Sequence, residues 1–192
     1  MHPYPTRKLI CCAALVVTNC LLVCGSAKAV EFEGVMLPNS LTAGGKNLRL
    51  NGMGLRTRAV FKIYVGGLYL ESNSKDPAKI LLADAGKLVQ IHFLRDLTRD
   101  QLVDDFQHAF ERNARDKTGQ RDAFDRMLTL VPDVWKGDTL TFLYLPGKGT
   151  TLQVGDRELG VFEGKGFASA VFAMWLGPYP TSRDLQTGML GK

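Results

Sequence analysis

The chain has 192 residues, a formal net charge of +5 and four cysteines, but its first 29 residues dominate two of those figures. All four cysteines (Cys11, Cys12, Cys20, Cys24) and three of the 24 lysines and arginines fall there, with none of the 19 acids. The other 163 residues carry a balance of +2 and no cysteine, which excludes a disulfide scaffold and argues against a nucleic-acid or membrane-surface partner held by bulk charge.

Residues 1–29 have the three parts of a secretory signal: Arg7 and Lys8 without an acid, an apolar run over residues 9–25, and an A-x-A site at Ala27-Lys28-Ala29. Cleavage after Ala29 is the expectation, giving a periplasmic or secreted protein with no membrane span. The apolar run falls short of the ~20 residues that cross a bilayer, so a retained anchor is the alternative. Acylation at Cys24 is disfavoured by the bulky Val23 before it. Residues 30–192 show no repeat, low-complexity tract or linker, as one domain would.

The remaining elements follow in order. "EFEGVMLP" has apolar residues at alternate positions and stops at Pro38. "SLTAGGKNLRLNG" gives a turn at Gly44-Gly45 and a strand through Leu48 and Leu50. "RAVFKIYVGGLYLE" is a long strand with a bend or bulge at Gly66-Gly67. Asp76 as N-cap and Pro77 at the first helical position open a short helix. In "KLVQIHFLR", Val89, Ile91 and Phe93 share the face that should meet the core. Thr98 and Gln101 have capping-box spacing, and Leu102, Val103, Phe106, Ala109 and Phe110 form one stripe of the helix that follows. "QRDAFDRMLTLV" is a second helix ending before Pro132. "DTLTFLYLPG", "TTLQVGDRELG" with a turn at Gly155-Asp156, and "LGVFEG" are strands. "GFASAVFAMWLG" is an apolar helix closed by Gly177-Pro178, and a last short helix is capped by Thr181 or Ser182. Strands, helices, strands, helices in that order favour a mostly antiparallel sheet with helices packed on it, an α+β architecture.

The chemistry is sparse. Gly52-Met53-Gly54 lacks the third glycine of a dinucleotide loop and leads into β-rich sequence rather than a helix. Gly147-Lys148 is followed by Gly149, so no Walker loop is present. His92 and His108 are isolated, which speaks against a metal site, and Ser169 lacks a nucleophile elbow. No cofactor is expected. Asp104 and Asp105 are adjacent on a helix and read as surface charge. Arg56, just after a turn expected at residues 52–54 where the chain enters the long strand, reads by spacing alone as a surface arginine paired with an acid, worth ~0–1 kcal/mol. The competing reading is a guanidinium aimed into a pocket to hold an oxyanion or carboxylate.

Three blocks shift that choice. "GMGLRTRAVFKIYVGGLYLE", "LPGKGTTLQVGDRELG" and "VFEGKGFASAVFAMWLGPYPTSRDLQTGMLG", in this order, resemble the chalcone isomerase-like family, in particular its exported bacterial members. The resemblance spans residues 32–191. It implies an open-faced β-sandwich, with a large antiparallel sheet, helices on one face and a ligand cleft between them. The family's enzymes close a ring by intramolecular oxa-Michael addition, with an arginine stabilising the reacting oxyanion; the family also has plant fatty-acid-binding relatives that catalyse nothing. By this resemblance Gly52-Met53-Gly54-Leu55-Arg56 carries the family arginine at Arg56. Tyr64 stands where the enzymes have a threonine, Leu102 and Ala109 where they have a tyrosine and an asparagine, and Met174 where they have Ser or Thr. One charge and one hydroxyl remain among apolar replacements.

The expectation is therefore a non-catalytic binder of a small amphipathic carboxylate or fatty-acid-like ligand, with Arg56, Tyr64, Leu102 and Met174 around it. An isomerase acting on a chalcone or related enone is the alternative, in which Arg56 would be catalytic. A third possibility is a structural or partner-binding protein whose cleft is filled by its own side chains.

Overall fold

The computed structural model describes residues 29–114 and 117–192; of the signal read over residues 1–29, all but Ala29 lies outside them. Strands β1 (Ala29–Phe32) and β2 (Val35–Pro38) pair as a hairpin. Seven further strands, β3 (Ser40–Ala43), β4 (Lys46–Arg58), β5 (Phe61–Leu70), β6 (Lys87–Phe93), β7 (Thr139–Leu145), β8 (Gly149–Val154) and β9 (Arg157–Phe162), form one sheet in chain order, every neighbour antiparallel. Helix α1 (Pro77–Leu82) joins β5 to β6; α2 (Arg99–Asn113) and α3 (Lys117–Leu130) join β6 to β7; α4 (Lys165–Leu176) and α5 (Arg183–Met189) follow β9. This is the expected α+β arrangement of a large antiparallel sheet under helices.

The period-2 pattern of β6 sets the layers. Val89, Ile91 and Phe93 are fully buried in the helix-side core, while Gln90 and His92 are half-buried. Leu88 turns to the other face, where it joins Val65 and Tyr69 beneath Val35 and Leu37 of the β1–β2 hairpin. Helix α4 is apolar all round because it runs through the core: nine of its twelve residues are buried. Phe106 of α2, Phe142 of β7 and Trp175 of α4 meet at centroid separations of 5.1–6.1 Å, filling the space between sheet and helices.

Local signals place the helix ends. The Asp76 carboxylate accepts from the backbone N–H of Ala78 (2.9 Å) and Lys79 (3.3 Å). Thr98 and Gln101 form a reciprocal capping box. Ser182 rather than Thr181 caps α5, accepting from Leu185 N at 3.3 Å.

Three local expectations need correction. "EFEGVMLP" turns back at Glu33 and Gly34, both at positive φ, and makes two strands rather than one. Gly52 and Gly54 lie within the 13-residue strand β4, not in a turn; the turn comes at Ala59 and Val60, with Ala59 at φ 53°. The bend placed at Gly66-Gly67 is absent, since both stay in register with Gly54 and Met53. The register shifts lie instead at Leu50/Gly52 and Arg56/Thr57. The glycines of β4 serve close packing. A Cβ on Gly54 would collide with the Leu185 carbonyl, and one on Gly52 with the Gly188 carbonyl, so α5 lies directly on the strand backbone.

Candidate functional site

Arg56 and Tyr64 are directly opposed across β4 and β5, so both side chains leave the same face of the sheet. The register shift after Arg56 interrupts the ladder beside the site, as bulges do where a side chain must be re-aimed. The guanidinium carbon lies 5.8 Å from the Tyr64 ring centroid. Both residues are buried, Arg56 at 7% exposure and Tyr64 at 3%.

Arg56 reaches α2 and the chain beyond α4 at once. Its Nη2 donates to Asp105 Oδ2 at 2.8 Å and its Nη1 to the Thr181 carbonyl at 2.9 Å. Arg58, exposed, approaches the other Asp105 oxygen at 3.9 Å. Arg56 Nε, shielded from solvent, has no hydrogen-bond partner among the described residues, and the equally shielded Thr181 hydroxyl lies against the Tyr64 side chain. An unpartnered buried donor costs about 1–3 kcal/mol unless something satisfies it.

The Tyr64 hydroxyl accepts from Trp175 Nε1 at 3.1 Å. Burial pushes its pKa above the ordinary tyrosine value, against the opposing pull of the Arg56 charge, the Trp175 N–H and the neighbouring Thr181 hydroxyl. It is a neutral phenol, poorly suited to proton transfer near neutral pH.

A small cavity of about 170 Å³ opens beside Arg56, walled by Asp105, His108, Ala109, Arg112, Tyr179 and Thr181. Arg112 lies over the Tyr179 ring at 5.2 Å, and His108 Nδ1 is 2.7 Å from the Asp104 carbonyl. Two guanidinium groups against one carboxylate make the cavity favour anions. Residues 177–181 close it on one side. Asn113 fastens that segment by two hydrogen bonds to the Tyr179 backbone (2.7 and 2.9 Å), and Thr181 N donates to the Met174 carbonyl at 3.1 Å.

Of the residues singled out from the sequence, Arg56 and Ala109 line the cavity, and Tyr64 lies against Arg56 without being among the cavity residues. Leu102 and Met174 are at 1% and 0% exposure in the helix-side core and are not among the cavity residues. Asp105, read as surface charge, is instead the partner of Arg56. Its position three residues after Leu102 and four before Ala109, at the border of the apolar stripe, was the available signal; Asp104, off that border, is exposed. Trp175 and Thr181 carried no polar signature in the sequence.

A family model described as chalcone isomerase-like matches residues 29–191. No curated protein matches the sequence significantly. The fold is similar to the crystal structure of an Arabidopsis thaliana fatty-acid binding protein, with a TM-score of 0.70 at 14% identity, over 85% of this chain and 96% of that one. With its curled antiparallel sheet under helices and its family match over nearly all described residues, the chain belongs to the chalcone isomerase-like family.

Proposed function

We propose that this protein is a non-catalytic member of its family that binds a small amphipathic carboxylate at Arg56, and that residues 1–29 direct its export. One observation carries the binding reading: a buried arginine lines a cavity with excess positive charge. A carboxylate in the cavity would pair with that charge. The fatty-acid-binding function of the Arabidopsis protein of like fold supports the ligand class. Catalysis has little support: the hydroxyl of Tyr64 is held neutral and faces Trp175, and Leu102 and Met174 bring no polar group.

The size of the cavity restricts the ligand. Drug-sized sites run about 300–1,000 Å³, so about 170 Å³ suits a head group with a short tail. The same measurement favours the second reading, a cleft filled by Phe106, Phe142 and Trp175 in a structural protein.

Calorimetric titration with butyrate and butanol separates the two. The acid should bind more tightly than the alcohol, and Arg56→Gln should weaken the acid about tenfold or more while barely changing the alcohol. Equal loss for both would remove Arg56 from the role; no acid binding in the wild type would favour the filled cleft. Chalcone absorbance should decay no faster with protein than without it. The exported protein should have the mass of residues 30–192, and an intact mass would contradict cleavage.

A further inference from the structure

A second cavity, of about 490 Å³, lies on the other side of residues 177–181. Its walls are Leu81 and Leu82 of α1 with Ala170, Ala173 and Leu176 of α4, and Arg183 of α5 also lines it. The walls are fixed to one another, since the Ser169 hydroxyl of α4 donates to the Leu81 carbonyl at 2.9 Å. Leu82 is 60% exposed at the mouth, an apolar side chain with nothing folded over it among the described residues.

We propose that this groove is a binding site for a single-chain amphipathic carboxylate, separate from the Arg56 cavity. The volume falls within the range of small-molecule sites, and the lining is apolar along its length. Among the described residues that line it, Arg183 is the one charged side chain. Arg183 donates through one Nη2 to the Pro178 carbonyl at 3.1 Å and forms no ion pair among the described residues. Gln186, beside it, is turned to the Gly177 carbonyl at 2.8 Å. An acyl tail fits the walls and a carboxylate completes Arg183. Residues 177–181 separate the sites, with Gly177 and Pro178 facing the groove and Tyr179 and Thr181 the Arg56 cavity. The proposal therefore does not depend on what Arg56 binds.

The test is amide-resolved NMR of the protein titrated with dodecanoate and, separately, with butyrate. Dodecanoate should shift the Leu81, Ala170 and Ala173 amides. Its affinity should rise about fourfold for each methylene that the groove covers along a series of chain lengths. Leu82→Glu, a change at an exposed position that leaves the core intact, should weaken dodecanoate about tenfold by setting a second anion beside the tail. Arg183→Gln should erase the preference for dodecanoate over dodecanol. Shifts absent from α1 and α4, or wild-type affinity in Leu82→Glu, would overturn the proposal. Butyrate failing to shift Arg56, Arg112 and Thr181 would sink the Arg56 reading alone, and leave the groove standing if dodecanoate shifts it.

Discussion

Two cations are buried among the described residues, and they are held in opposite ways. Arg56 has a carboxylate partner, an unpartnered Nε and a cavity beside it. Lys87, at 1% exposure, has no carboxylate bound; its Nζ donates to the Ile80 and Ala83 carbonyls at 3.0 and 2.8 Å and lies 5.1 Å from the Tyr144 ring centroid. Lys87 thereby closes the C-terminal end of α1, where free carbonyls favour a cation. All that it touches belongs to the fold, whereas Arg56 also lines a cavity. Burial of a charge alone does not mark a site; a buried charge that borders an open cavity does.

The largest effect that would sharpen this contrast is a pH dependence. Burial lowers the Lys87 pKa to about 8, with the nearby Lys165 charge acting the same way and Asp84 opposing. Below pH 8 the lysine is charged in folded and unfolded chains alike, and the folded state bears the full burial penalty. From pH 8 to 10 the folded state gives up its proton first, so stability should rise by about 2 kcal/mol. Urea unfolding of wild type and Lys87→Met across this window should show the slope only in the wild type. A slope that survives the substitution would assign it elsewhere.

Next comes Asp105→Asn. Removing one member of a buried pair costs about 3–5 kcal/mol, but the Asp105 side chain is 26% exposed, so about 1–2 kcal/mol is expected after solvent screening. Asp105 also competes with any acid for the guanidinium. Butyrate should bind several-fold tighter to the variant and restore part of its melting temperature. Weaker binding would mean that Asp105 positions Arg56 rather than competes for it.

The smallest effect is Tyr64→Phe, which keeps the ring beneath Arg56 but leaves the Trp175 N–H without an acceptor, at about 1 kcal/mol. Acid affinity should change little. A large loss would place the hydroxyl in the site.

The fold was legible at several places where its cause is local, though not at the turns of Glu33-Gly34 and Ala59-Val60. Asp76, the Thr98–Gln101 pair, the turns at Gly44-Gly45 and Gly155, and the alternation of β6 depend on residues a few positions apart, and the structure contains them all. The site was legible only in part. Arg56 could be found through family likeness and Tyr64 beside it, but Asp104 and Asp105 look alike until α2 is laid against β4. Trp175 and Thr181 reach the site from 111 and 125 residues away along the chain. The glycines at 52 and 54 misled for a similar reason: they suit a turn, yet what they accommodate is a helix from the far end of the chain.

That last contact has a consequence for how the protein comes into being. The sheet is a meander whose strands pair with their sequence neighbours, a topology that can form progressively from the N-terminus. The carbonyl that Arg56 grips, and the helix that lies on Gly52 and Gly54, come from the final stretch of the chain. A growing chain can thus complete its sheet while Arg56 and the glycine backbone of β4 are still uncovered. The cavity beside Arg56 is closed only when the residues that follow α4 fold back onto β4 and α2.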